Sequence, residues 1–251
     1  MEVAPSSLTS SLTPFQRTVR NMFGTIVRRY DLINRVLSLG RDHFWRQSLT
    51  RRMLILSDDP SFLDLATGSG DQLLSHKRLF PAAKVTGLDI SEPMLELAKK
   101  KIKNSLTKGK ISLPEPTLIL GQATEAPLPD ESFDSISISF GLRNITDRRG
   151  LYSSAYRMLK PGGRLLILEL FFDPRSIWAP LYRFHLDKFT PFLASLLGGR
   201  GGAYRYLARS VLAFPHPATI ITELKKAGFV KPQRTSFTFG VCMLVWAHKP
   251  F

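Results

Sequence analysis

Short runs of apolar residues alternate with helically spaced ones along most of this chain. The run Phe62-Leu-Asp-Leu65 has the near-continuous apolar character of a strand buried on both faces, and Leu73 and Leu74 open a helix shortly after it. Residues 84–90 read as the next strand. A helix follows, with Met94, Leu97, Ala98 and Ile102 on one face, Ser91 as its N-cap and Pro93 in its first turn. Strands are predicted over 117–120, 135–140 and 164–170, then a helix over 217–227 that turns Ile220, Ile221 and Leu224 inward and stops at Gly228. Two closing strands, around 229–235 and 237–248, complete a seven-stranded sheet that ends in a reversed hairpin. The predicted fold class is therefore α/β: a mostly parallel sheet with helices on both faces.

Two stretches stand outside this alternation. Val19, Met22, Phe23, Ile26, Val27 and Tyr30 recur at helical spacing, while Arg17, Arg20, Arg28 and Arg29 take other positions. Such a helix packs on the domain, covers a ligand or lies on a membrane surface; the spacing by itself favours packing. Between Asp173 and His216 the composition turns aromatic and basic, with Trp178, Tyr182, Phe184, Phe189, Phe192, Tyr204, Tyr206 and Phe214 beside six Arg or Lys and only Asp173 and Asp187. A cap over an apolar substrate, a membrane-facing surface and a base-stacking groove all share this make-up. One domain over 1–251 is expected, with an N-terminal helical lid at about 15–50 and an inserted helical cap at about 173–216.

Candidate chemistry begins where the first strand ends. Phe62-Leu-Asp-Leu-Ala-Thr-Gly-Ser-Gly-Asp71 reads as strand, tight turn and helix N-terminus; its glycines allow positive φ and let a ligand press against the main chain. A dinucleotide fingerprint would place a third glycine where this chain has Leu73, so a pyrophosphate ligand fits poorly. Asp89 ends the second strand, where a carboxylate accepts hydrogen bonds from both hydroxyls of a ribose. The spacing Asp64-x-x-x-Gly68-x-Gly70 resembles motif I of the class I S-adenosylmethionine (SAM) methyltransferases, and Leu159-Lys-Pro-Gly-Gly163 resembles a second signature of that class. The resemblance implies SAM held by Gly68, Ser69, Gly70, Asp89, the Gln122-Ala123 corner and Ser139, with Gln122 standing where an acidic or Asn side chain is more usual.

More specific segments narrow the likeness. Tyr30-Asp-x-x-Asn34, Leu37-Ser-x-Gly40, Trp45-Arg46, Phe140-Gly-Leu-Arg-Asn144, Ala203-Tyr-x-Tyr-Leu207 and Phe214-Pro215 are similar to those of the ubiquinone/menaquinone biosynthesis C-methyltransferase family, over roughly residues 19–249. That resemblance implies SAM-dependent methylation of a ring carbon of a polyprenyl quinol. Demethylmenaquinol is the first choice and the benzoquinol of the ubiquinone pathway the alternative. The reaction needs an electron-rich, reduced ring in line with the sulfonium methyl; the leaving group is already positive, so no metal is required. Arg143 and Asn144 are then the donors to a transient phenolate. Tyr30 and Asp31 close over cofactor and quinol, and the base is Tyr30, Asp31, His43, His185 or a held water. Arg143 has a second reading, as the partner of a core carboxylate.

Charge adds a location. A formal net charge of +15 over 251 residues predicts attraction to polyanions, and both nucleic acid and anionic membrane qualify. The cluster Lys99-Lys-Lys-Ile-Lys103, with Lys108 and Lys110, reads as the solvated end of a helix. A nucleic-acid methyltransferase would normally carry N/D-P-P-Y/F where this chain has Ser139-Phe-Gly-Leu142, and the intact polar loop from Arg143 speaks against a SAM-binding module without catalysis. No apolar run approaches the roughly 20 residues that span a bilayer. The first thirteen residues lack the apolar core of a secretory signal, and the single Cys242, in an apolar run, suits a small buried side chain in a reducing compartment. The expectation is a cytoplasmic enzyme, peripheral at the inner face of the membrane, that binds a polyprenyl quinol and anionic lipid but no nucleic acid. Its oligomeric state is left open.

Overall fold

Phe62, Leu63 and Leu65 have no exposed surface, as a strand covered on both sides requires. They form β1 (Ser61–Leu65) of a computed structural model that describes residues 13–15, 17, 18, 20, 21, 24, 31, 32, 35, 38–192 and 201–251. β1 pairs in parallel with β2 (Lys84–Asp89) and β4 (Phe133–Ser139), β2 with β3 (Thr117–Leu120), and β4 with β5 (Leu159–Leu170). The last strands, β6 (Val230–Phe237) and β7 (Cys242–His248), run antiparallel, and β7 lies between β5 and β6. The order β3-β2-β1-β4-β5-β7-β6 is the seven-stranded sheet with a reversed hairpin that the sequence predicts. β5 begins earlier than predicted: Leu159 already pairs with Phe133, and pairing resumes at Arg164 after the glycine turn.

Alternation along β5 shows how the two faces are covered. Leu165 and Ile167 join one core with Ile136, Ile138, Leu151 of α4 (Arg148–Met158) and Leu224 of α7 (Pro217–Lys226). Leu166 and Leu168 join the other, with Leu49 of α1 (Arg41–Thr50), Leu73 of α2 (Asp71–Leu79) and Ile102 of α3 (Glu92–Thr107). At about 1.5–3 kcal/mol per fully buried aliphatic side chain, these layers dominate the stabilisation. The stretch expected as a lid therefore reaches the core through α1. Val19, Met22, Phe23, Ile26, Val27 and Tyr30 lie outside the described residues.

The described part of the insertion is helical. α5 (Ala179–Phe184) continues into a π-helical turn at His185–Phe189, and α6 (Gly201–Leu212) packs Ala208 and Val211 on Leu186, next to Leu170 and Tyr182. Ser91 stands at the N-cap of α3 as predicted, but its hydroxyl makes no capping bond. Cys242 is fully buried, and burial pushes its thiol well above the ordinary range. At the outer edge, pairing of β6 shifts between Val230 and Gln233, with Lys231 at φ 49° and Pro232 beside it. No described helix is long and apolar enough to cross a membrane.

Candidate functional site

β1, β2 and β4 end at one edge of the sheet, and the loops beyond them line a solvent-open cleft of about 1030 Å³. The turn after β1 reverses with Gly68 and Gly70 at φ 55° and 80°. A Cβ on Gly68 would meet no protein atom within 4 Å, so only the left-handed backbone demands glycine there and the open flank is left to a ligand. At Gly70 a Cβ would lie 3.1 Å from that of Ala98, so this glycine serves the approach of α3 and does not line the cleft. Gly68, Ser69, Asp89, Gln122, Ala123 and Ser139, the residues expected at the cofactor, all line this cleft. Asp89 accepts from the N–H groups of Gly68 and Ser91, each at 2.8 Å, while burial pushes its carboxyl above the usual range. A carboxylate oxygen accepts more than one hydrogen bond, so both remain open to a diol. Arg46 Nε and Ser91 Oγ, two polar atoms of the cleft wall, are buried without a hydrogen-bond partner.

Beneath the cleft, β4 turns Ile136 and Ile138 to one core and buries Ser135, Ser137 and Ser139 on the other face, against Leu54 beyond α1 and against α2. Buried hydroxyls need partners, and these have them. Ser137 Oγ donates to Asp64 Oδ1 (2.7 Å) and sits 2.9 Å from His76 Nε2; His76 Nδ1 meets Thr50 Oγ1 at 3.1 Å. Gln72 donates to Thr50 (2.9 Å) and accepts from Ser139 (3.0 Å), which ties this network to the cleft wall. Burial pushes Asp64 up to about 6 and holds His76 down to about 3.

These two shifts oppose each other. Asp64 stabilises the native state while protonated, a contribution present below about pH 4 and lost as pH rises through about 6. His76 stabilises it while neutral, a contribution present above about pH 6.5 and lost as pH falls towards about 3. Between pH 4 and 6 the slopes, each about 1.4 kcal/mol per pH unit, cancel. Relative to wild type, His76→Gln should therefore lose about 3 kcal/mol of unfolding free energy from pH 4 to 6, and Asp64→Asn should gain about as much. Urea titrations at both pH values check this; parallel curves for all three proteins would refute it.

Ser69 Oγ donates to Asp31 Oδ1 (2.6 Å), and Lys101 Nζ reaches Asp31 Oδ2 (2.8 Å) and Asp71. Burial acts to raise Asp71, but the Lys101 ammonium outweighs it and holds the carboxyl below the usual range. Lys101 is therefore no part of a solvated helix end, although Lys99, Lys100, Lys103, Lys108 and Lys110 are exposed. Asp31 belongs to this corner and is not among the residues that line the cleft.

The segment after β4 divides the cleft from a second, apolar cavity of about 640 Å³. Phe140 takes φ 58°, and a Cβ on Gly141 would come within 2.8 Å of Ala66, so the loops after β1 and β4 touch only because Gly141 has no side chain. Phe140 and Arg46 line both spaces, with the guanidinium 4.9 Å from the ring centroid. Asn144 lines the cleft and accepts at Oδ1 from Tyr206 Oη (3.0 Å); Arg143 lines the apolar cavity. Arg143 is also ion-paired with buried Glu169, which in addition accepts from the Arg143 N–H (3.1 Å), so the second reading of this arginine is observed. Trp45, Leu170, Tyr182, His185, Leu186 and Leu207 supply much of the remaining cavity wall.

The structure thus brings Arg143, Asn144 and His185 to the partition and leaves His43 exposed, bonded to Gln47 (2.9 Å); Tyr30 lies outside the described residues. Sequence reading missed Glu169, Gln72, Lys101 and the Tyr182 hydroxyl, whose buried oxygen has no hydrogen-bond partner and whose pKa burial raises. A lone carboxylate inside the apolar run of β5 was the one available signal, for Glu169.

The pattern that defines the ubiE/COQ5 methyltransferase family matches residues 13–249. A demethylmenaquinone methyltransferase of Thermus thermophilus is 39% identical over 230 residues, which cover 91% of this chain and 100% of that protein. A ubiquinone/menaquinone biosynthesis C-methyltransferase, UbiE, of Geotalea daltonii is 36% identical over 240 residues, 95% of this chain and 99% of that one. Among solved structures, phosphoethanolamine N-methyltransferase 2 of Haemonchus contortus in complex with SAM superposes with a TM-score of 0.66 at 16% identity, over 96% of this chain and 61% of that chain. A SAM-dependent methyltransferase of Thermotoga maritima superposes at 0.63 with 18% identity, over 92% of this chain and 99% of that chain. At such identities the solved structures show the fold alone, that of the SAM-dependent methyltransferases.

Proposed function

The chain belongs to the ubiE/COQ5 methyltransferase family, and from that membership we propose that it methylates a ring carbon of a polyprenyl quinol with SAM, demethylmenaquinol being the substrate of choice. The name of the Thermus relative favours the naphthoquinol ring, and that of the Geotalea relative includes the benzoquinol of ubiquinone synthesis. The observation that carries the reading is the partition at 140–144: one residue apart, Asn144 borders the cleft that contains Asp89 and Arg143 a second cavity walled in part by Trp45, Phe140, Leu170, Tyr182 and Leu207.

The cleft suits SAM. Asp89 would accept from its ribose hydroxyls, Gln122, Ala123 and unpartnered Ser91 would border the adenine, and Arg20 and Arg46 would face the methionine carboxylate near Ser69 and Ser139. The chemistry supplied by bound SAM is an electrophilic methyl group on a positive sulfur. Arg143 and Asn144 donate to the ring oxygen as negative charge builds on it, in a cavity whose apolar wall strengthens those hydrogen bonds. Tyr206 occupies Asn144 Oδ1 and so leaves the amide NH2 free to donate. Tyr182 Oη is a further donor. Of the described candidate bases His185 borders the apolar cavity, and we assign it the hydroxyl proton. Asp31, through Ser69, shapes the cofactor side. The net charge of +15, with Arg175, Arg183 and Arg205 exposed, supports a peripheral position on the anionic inner face of the membrane.

Incubation with methyl-labelled SAM and each quinol, reduced or oxidised, tests the reading. Label should appear in extracted lipid with dithionite-reduced demethylmenaquinone and be nearly absent with the quinone, because only the hydroquinol directs electron density onto the ring carbon. Equal labelling of both forms with reduction excluded, or label in added nucleic acid instead, would overturn it.

A further inference from the structure

Three segments far apart in sequence bring exposed apolar side chains to the apolar cavity. Leu39, Phe44, Trp178, Leu181, Phe184 and Phe239 are between 44% and 78% exposed. All but Trp178 stand one or two positions in sequence from a residue of the cavity wall, namely Ser38, Trp45, Tyr182, His185 or Val241, and Trp178 is joined to Phe239 at a ring separation of 5.1 Å. Trp45 Nε1 donates to Thr238 Oγ1 (3.1 Å), so α1 holds the β6–β7 turn that presents Phe239. Phe239 itself sits at φ 56°, a left-handed conformation that an aromatic side chain rarely takes. The turn is thus held where it exposes its ring.

We propose that these side chains form one rim around the mouth of the apolar cavity and insert into the acyl layer of an anionic bilayer, so that the cavity opens directly into lipid. This rests on the polyprenyl-quinol reading above. A polyprenyl tail is costly to extract into water, each methylene adding to the cost. The rim lets the ring enter while the tail stays among acyl chains. Trp and Phe suit that depth. Charge selects lipid over a second copy of this chain: two molecules at +15 repel, while Arg175 and Arg183 beside the rim, exposed and loosely paired at 3.4 Å with Asp173 and Asp187, can turn to anionic headgroups.

The test uses the full-length protein and liposomes of phosphatidylglycerol and phosphatidylcholine. Brominated acyl chains should quench tryptophan emission in wild type, and the quenching should disappear in Trp178→Phe. The triple variant Leu181→Ser/Phe184→Ser/Phe239→Ser removes surface side chains and should keep its melting temperature and SAM affinity. It should float with liposomes about tenfold less, and its apparent KM for a long-tailed quinol should rise about tenfold, while kcat for a short-tailed, water-soluble quinol stays within about twofold of wild type. Undiminished flotation of the triple variant, or absence of quenching in wild type, overturns the rim. So does a wild-type dimer that the triple variant dissociates without lipid, because the rim would then be covered by a second copy. A wild type that methylates no quinol, even short-tailed, fails the substrate reading instead; quenching and flotation do not depend on substrate.

Discussion

Replacing Asp89 by alanine is expected to weaken SAM binding about 100-fold and leave the fold intact. Two charge-assisted hydrogen bonds to ribose hydroxyls contribute about 1.5–3 kcal/mol each, and water entering the cleft recovers part of that; a loss near 3 kcal/mol corresponds to the stated factor. Stability should change little, because burial already disfavours the charge on this carboxyl. The Gly68 and Ser91 N–H groups that lose their acceptor lie in a cleft that water can enter. Asp89→Asn keeps one acceptor oxygen and should lose only about tenfold. Titration calorimetry with a melting curve on each protein checks both numbers, and undiminished affinity in the alanine variant would remove Asp89 from the ribose site.

A larger loss of activity is expected at Arg143, where catalytic and structural roles must be separated. Arg143→Gln alone leaves Glu169 buried without its counter-charge, which costs about 3–5 kcal/mol of stability. Adding Glu169→Gln removes that defect, so the double variant should melt close to wild type. Its kcat should nevertheless fall about 100- to 1000-fold, the usual cost of one missing oxyanion donor. SAM affinity should stay within about twofold, because Arg143 lines the apolar cavity and not the cleft. A double variant that turned over quinol at the wild-type rate would make the buried pair purely structural.

The strands and the closing hairpin were legible because each depends on a local pattern. Phe62 to Leu65 announces a doubly covered strand by its own composition, Gly68 marks a left-handed turn, and Asp89 falls at a strand end. Partners across the fold were not legible. Lys101 is one of four lysines in five positions, and only the radial direction of α3 decides that this one meets Asp31 and Asp71 while its neighbours face water. Gln72 and His76 look like ordinary positions of an amphipathic helix until the serines of β4 come to lie beneath them. Phe239 lies in a turn between two strands, and nothing local says that Trp178 will reach it.

The outer edges of the sheet bear on how copies of this chain behave when crowded on a two-dimensional surface. An edge strand with free N–H and C=O groups templates the addition of strands from other molecules. On β6 the break in pairing between Val230 and Gln233, the left-handed turn at Lys231 and the missing N–H of Pro232 interrupt that template. At the opposite edge β3 is only four residues long. On the membrane surface proposed above, neighbouring copies would therefore crowd together without sheet-to-sheet aggregation.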